Sequence, residues 1–303
     1  MQESRSKKHH YLPRYFLKGF TNPNGSFFVY DKQTRKIFKS SPDNSFFENN
    51  LNTVTLKHGD SDFIEKMYSN MEGKFWKSLD TIRDSTYQMG IGDLDKMNLY
   101  LFLAILHWRL PKNMALVESL SKRFFTGDND FKYITLKSKT NKNVPEEIVD
   151  EFRSSEGFKK SAKLLIPFIN FQGNEWYESV ANWTFSYTGD NARWHMIGDS
   201  PILTEGIYDE DPKKFLDRFM FPVSGSVMLI NNGTHITPKE LPEAFLLQFN
   251  TALVHKAERF VACPNKDLLE VIIRYYYNYV SNDMTHLIFK ELFSYLDDPN
   301  PSY

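Results

Sequence analysis

The sequence predicts an α+β fold, a helix-rich single domain over residues 1–303 with a small, mainly antiparallel sheet and an N-terminal β-hairpin. Apolar residues recur at spacings of three and four over 61–85 and 93–110, the period of a helix with a buried face. Short runs between 183 and 230 alternate apolar and polar instead, the period of a half-buried strand. Within 26–40, two aromatic or β-branched runs are parted by Asp31-Lys32-Gln33-Thr34-Arg35, a hairpin signature.

Each element follows in order. After the hairpin, Phe63, Ile64, Met67, Met71, Phe75, Leu79 and Ile82 make a long amphipathic helix behind an Asp60 or Ser61 N-cap. A second helix opens after Gly92-Asp93, and its Leu94, Met97, Tyr100, Leu101, Leu103, Ala104 and Leu106 are apolar on more than one side, so it is expected to be central until Pro111 stops it. Residues 126–145 are polar and lysine-rich and read as a mobile surface insertion. A helical segment near 146–170 follows. Trp183–Tyr187, Trp194–Ile197 and Ser226–Ile230 then read as strands of one sheet, with the hairpin. Helical spacing returns over 239–257 and 266–296, around a short Phe260–Ala262 strand.

Composition narrows the functional classes. With 41% apolar and 25% charged residues the chain can bury a full core, which excludes wholesale disorder, collagen-like repeats and a long coiled coil. Its 37 Lys+Arg against 38 Asp+Glu remove any bulk attraction to nucleic acid or anionic lipid. One cysteine, Cys263, rules out an internal disulfide and reads as a buried small hydrophobe in a reducing compartment. No apolar run approaches the roughly 18 residues of a membrane helix, and none follows the basic start as a signal peptide would, so a soluble cytoplasmic protein with no membrane partner is expected.

The sharp catalytic motifs are missing: no glycine-rich phosphate loop, no Cys-x-x-Cys, no His-Glu-x-x-His and no Gly-x-Ser-x-Gly elbow. What remains is dispersed. Lys7-Lys8-His9-His10-Tyr11-Leu12-Pro13-Arg14 combines imidazoles able to ligate a metal or take a proton with cations able to meet an anion. Glu65 and Glu72, seven residues apart, return to nearly the same helix face beside Ile64, Met71 and Phe75. Arg109 sits in a helix's last turn, where capping carbonyls is the alternative to a functional role. Asp199, in Ile197-Gly198-Asp199-Ser200-Pro201, stands where a strand breaks, a place for metal binding or proton transfer but equally for a turn that caps amides.

In order, His10-Tyr11-Leu12-Pro13 through Phe20, the Phe28–Asp31 hairpin strand, the Glu-bearing helix, Trp108-Arg109, Gly198-Asp199-Ser200-Pro201, Phe221-Pro222-Val223-Ser224 and the Phe249-Asn250 to Ala257 region resemble the family catalogued as domain of unknown function 4238, over about residues 8–263. Members tend to show Ser-Asp-Asn-Pro where this chain has Gly198-Asp199-Ser200-Pro201. The resemblance implies no assigned activity, but it groups His10, Glu72, Arg109 and Asp199 as matched polar positions from separate segments.

Two readings follow. In the first, the chain is a metal-dependent phosphodiester hydrolase, nuclease-like, in which His10, Glu72 and Asp199 hold Mg²⁺ or Mn²⁺, Arg109 steadies the anionic transition state, and Lys7, Lys8 and Arg14 guide a nucleic acid or nucleotide. In the second, the chain is a non-catalytic nucleotide- or protein-recognition module in which the same residues form a hydrogen-bonded lock.

Overall fold

A computed structural model describes residues 7–56, 59–84, 90–129, 135, 144–171, 175–188, 194–205, 216–233 and 242–297. The chain opens with β1 (Lys8–His10), a single helical turn α1 (Arg14–Leu17), and a hairpin of β2 (Phe27–Asp31) and β3 (Lys36–Ser40). The hairpin turn is held by Asp31, whose Oδ1 accepts the Gln33 amide at 2.9 Å, while Arg35 adopts the left-handed region at φ 56°. Next come β4 (Phe47–Asn49), which returns to pair with β1, and a small ribbon of β5 (Val54–Leu56) and β6 (Gly59–Ser61).

Two long helices occupy the places the periodicity predicts, α2 (Phe63–Asp84) and α3 (Asp93–Arg109). The first buries Ile64, Tyr68, Phe75, Leu79 and Ile82 on one face. The second is buried almost continuously from Leu99 to Arg109, as its all-round apolar character requires. Pro111 ends it, and a 3₁₀ turn over Pro111–Asn113 leads into α4 (Met114–Ser121). The helical stretch near 146–170 is broken into α5 (Glu146–Ser154) and α6 (Glu156–Leu165), because Ser155 caps the second helix by accepting the Phe158 amide at 3.2 Å. After α7 (Glu175–Ala181) come β7 (Trp183–Tyr187), β8 (Ile197–Gly198), β9 (Leu203–Thr204), β10 (Phe219–Pro222) and β11 (Val227–Asn231). The end comprises α8 (Glu243–Lys256), β12 (Phe260–Cys263), α9 (Lys266–Ser281) and α10 (Leu287–Asp297). The last two divide the expected 266–296 helix at Asp283, whose φ of 57° cannot continue a right-handed helix.

The architecture is α+β, with small antiparallel sheets. The single sheet expected from the strands is, however, two separate four-stranded sheets, ordered β7-β11-β10-β9 and β3-β2-β12-β8. β8 leaves its sequence neighbours and pairs with β12 in the hairpin sheet, Val261 opposite Gly198 and Ala262 opposite Ile197. The reason lies just upstream. Asn250 of α8, fully buried, accepts the Met196 amide at 3.0 Å and donates to the Trp194 carbonyl at 2.7 Å, so a helix side chain supplies the partners a sheet ladder would have given.

The largest apolar cluster joins residues from Tyr11 to Ala262. Phe16 stacks on Phe221 at 5.3 Å and meets Phe102 edge-on at the same distance, fastening the N-terminal segment to α3 and to β10. Cys263 is fully buried, and burial pushes its thiol up to about 12, as a core residue and not a nucleophile. The expected insertion at 126–145 falls largely outside the described residues, which in that span are 126–129, 135, 144 and 145. Among the described residues, no helix is long and apolar enough to cross a membrane.

Candidate functional site

The packing of α2 against α3 brings Glu72 and Arg109 together. Arg109, 2% exposed, places Nη1 2.6 Å from Glu72 Oε1, gives Nη2 to the His10 carbonyl oxygen, and lays its guanidinium 4.3 Å from the centre of the Tyr68 ring. Burial opposes the Arg109 charge, yet Glu72, with Tyr68 and Glu65 beside it, holds the guanidinium above its ordinary value. His10 thus enters this group through its backbone. Its imidazole packs against Phe47 at 5.5 Å, with Nε2 in no hydrogen bond, and burial with the nearby Arg14 pulls it below the ordinary histidine value.

A second polar chain adjoins the first. Asn52, in the β4–β5 connection, gives its backbone amide to His9 Nδ1 at 2.8 Å and its side-chain amide to Glu65 Oε2 at 2.6 Å, while its Oδ1 takes Lys163 Nζ at 2.6 Å. Glu65 and Glu72 therefore do share a face of α2, with Tyr68 between them. Lys163 of α6 is wholly buried, and burial, reinforced by Arg109 and Lys160, pushes its amine down to about 7. It is the residue that the sequence reading missed. The available signal was a lysine inside the apolar run Ala162-Lys163-Leu164-Leu165-Ile166.

Because Lys163 gives up its proton more readily folded than unfolded, the unfolded chain binds the extra proton between about pH 7 and the ordinary lysine value. Its contribution to stability rises with pH across that window and is flat below it, by about 1.4 kcal/mol per pH unit at most. Urea unfolding of the native chain and of Lys163→Met at pH 7 and pH 9 isolates the effect. The difference is expected to move by about 2 kcal/mol in favour of the native chain at pH 9, and an unchanged difference would show the amine is not desolvated.

Asp199 lies apart from these groups. At the end of β8 its Oδ1 accepts the Glu258 amide at 2.9 Å, and its Oδ2 accepts those of Arg259 at 2.7 Å and Phe260 at 2.8 Å. Burial raises its carboxyl above the ordinary value, and the same amides work against that rise. Both oxygens are thus occupied in fastening the α8–β12 turn. Among the described residues, no group of three or more His, Cys, Asp or Glu side chains is placed to hold a metal ion. The expected metal set of His10, Glu72 and Asp199 is therefore not assembled, since His10 turns a carbonyl toward Arg109, Glu72 pairs with Arg109, and Asp199 faces backbone amides elsewhere.

The peptide after His10 links the two groups. Tyr11 turns to a cleft of about 310 Å³ that also holds Asp199. Tyr11, Phe47 and Phe260 line it with Gln33 and Pro111, and its charged residues are Glu48, Lys112, Asp199, Glu258 and Arg259. Arg259 is committed to Asp31 at 3.0 Å and lies 4.5 Å over the Phe260 ring. Burial, with Lys256 nearby, pushes the Lys112 amine down to about 8. Of the expected substrate-binding cations, Lys8 stands 4.7 Å over the Phe47 ring and bonds Asn44 at 2.9 Å, whereas Arg14 pairs with the exposed Asp43 at 2.9 Å.

No curated protein and no solved structure matches the chain. The family model described as a protein of unknown function, DUF4238, matches residues 8–267, which include the His10–Pro13 opening, the Arg109–Glu72 pair and the Asp199 turn. The chain belongs to that family.

Proposed function

We propose that the chain is a non-catalytic recognition module that takes a nucleotide into the cleft beside Asp199. The observation that carries this reading is the cleft wall: Tyr11, Phe47 and Phe260, from separate segments, surround a space of about 310 Å³ beside the largely desolvated Lys112 amine. That volume is at the small end of ligand sites. Aromatic rings give a base a stacking surface worth about 1–3 kcal/mol. The polar constellations then serve as locks that hold the walls: Asp199 positions Phe260, and Arg109 positions the strand from which Tyr11 extends.

Metal-dependent phosphodiester hydrolysis has less support, because its two carboxylate ligands, Glu72 and Asp199, would have to leave hydrogen bonds that hold the fold. Calorimetric titration with the four common nucleoside monophosphates tests the recognition reading. Saturable binding is expected for at least one of them, weakened about tenfold in Phe47→Ala, the loss of about 1.4 kcal/mol that one stacking contact represents. Absence of binding at millimolar nucleotide, or an unaffected Phe47→Ala, would overturn it.

A further inference from the structure

We infer that the cleft selects a guanine base, read by Glu258 and Lys112. This rests on the nucleotide reading above. The argument starts from which charges in the cleft are already engaged. Asp199 holds three backbone amides, and Arg259 holds Asp31. Glu258 and Lys112 line the cleft as well, and they are electrostatic neighbours. Neither side chain has a hydrogen-bond or ion-pair partner among the described residues, and Glu258 is exposed while Lys112 is mostly covered. A carboxylate and an ammonium are thus held near each other without being joined, between aromatic walls.

The ligand that satisfies both is planar and carries an acceptor next to paired donors. Guanine has this pattern on one edge: the O6 carbonyl, then N1–H, then the N2 amino group. O6 suits an ammonium, and the adjoining donors suit the two oxygens of one carboxylate. Adenine and cytosine offer a single amino group on that edge, and uracil a single N–H between carbonyls. A free nucleotide is the better match than a guanine within a nucleic acid, because the chain's net charge of -1 provides no field for a polyanion.

The Glu258 variant is informative because the lock on Asp199 uses the Glu258 backbone amide and not its side chain. Glu258→Gln is therefore expected to melt as the native chain does. Titration of the intact protein with GMP, IMP, AMP, CMP and UMP is expected to rank GMP at least about tenfold tighter than the rest, IMP suffering from its missing amino group. Glu258→Gln is expected to abolish the preference, leaving GMP as weak as AMP, and Lys112→Met to weaken GMP in the same way. If all nucleotides bind alike, or if the preference survives Glu258→Gln, the guanine assignment falls while the recognition reading stands. If none binds, both fall. Tighter binding of a thymine oligonucleotide carrying one guanine than of GMP would overturn the choice of a free nucleotide.

Discussion

Replacing Asp199 by Ala is expected to lower the unfolding free energy by about 3–5 kcal/mol, a large part of the 5–15 kcal/mol typical of a whole domain. The carboxylate is 7% exposed and accepts the amides of Glu258, Arg259 and Phe260 at 2.7–2.9 Å. Without it those donors lose their acceptors together, and each buried unsatisfied donor costs about 1–3 kcal/mol, less where the exposed turn lets water in. Asp199→Asn keeps the shape but turns an N–H₂ toward N–H donors, so it is expected to cost nearly as much. Urea denaturation followed by circular dichroism reads both. A loss below about 1 kcal/mol in the alanine variant would mean the carboxylate is not a fastening of the turn, and would return it to consideration as a ligand-binding group.

Replacing Arg109 by Met is expected to cost about 3–4 kcal/mol, within the range for breaking a buried ion pair from one side. The guanidinium is 2% exposed and serves Glu72, the His10 carbonyl and the Tyr68 ring at once. Glu72, 24% exposed, partly rehydrates when its partner goes, so Glu72→Gln, which strands the buried guanidinium, is expected to cost at least as much. The double variant is expected to be less destabilised than the sum of the single ones by about 2 kcal/mol. Strict additivity would show that the pair is not coupled.

Both residues stood out in the sequence, by their local context and by resemblance to a family pattern, and both are engaged in holding backbone. That is a reason why polar positions matched across a family are not always reaction centres. A buried carbonyl or amide at a chain crossing needs a partner as strictly as a substrate does. Asn250 shows this with no charge involved, supplying both an acceptor and a donor to residues 194–196.

The sequence by itself determined the α+β class, the places of α2 and α3, the β2–β3 hairpin and the burial of Cys263. Each depends on local periodicity or on one side chain's preference, which neighbours in the chain reveal. It also determined that Glu65 and Glu72 share a helix face, since 3.6 residues per turn admits little else. The tertiary structure alone decided that the strands part into two sheets, that His10 meets Arg109 through a carbonyl, and that Lys163, 111 residues from Asn52, lies buried against it. It alone placed Asp199 with Tyr11 and not with Glu72. Such choices are settled by where distant segments leave buried donors and acceptors unpaired, a quantity that exists only once the chain has folded.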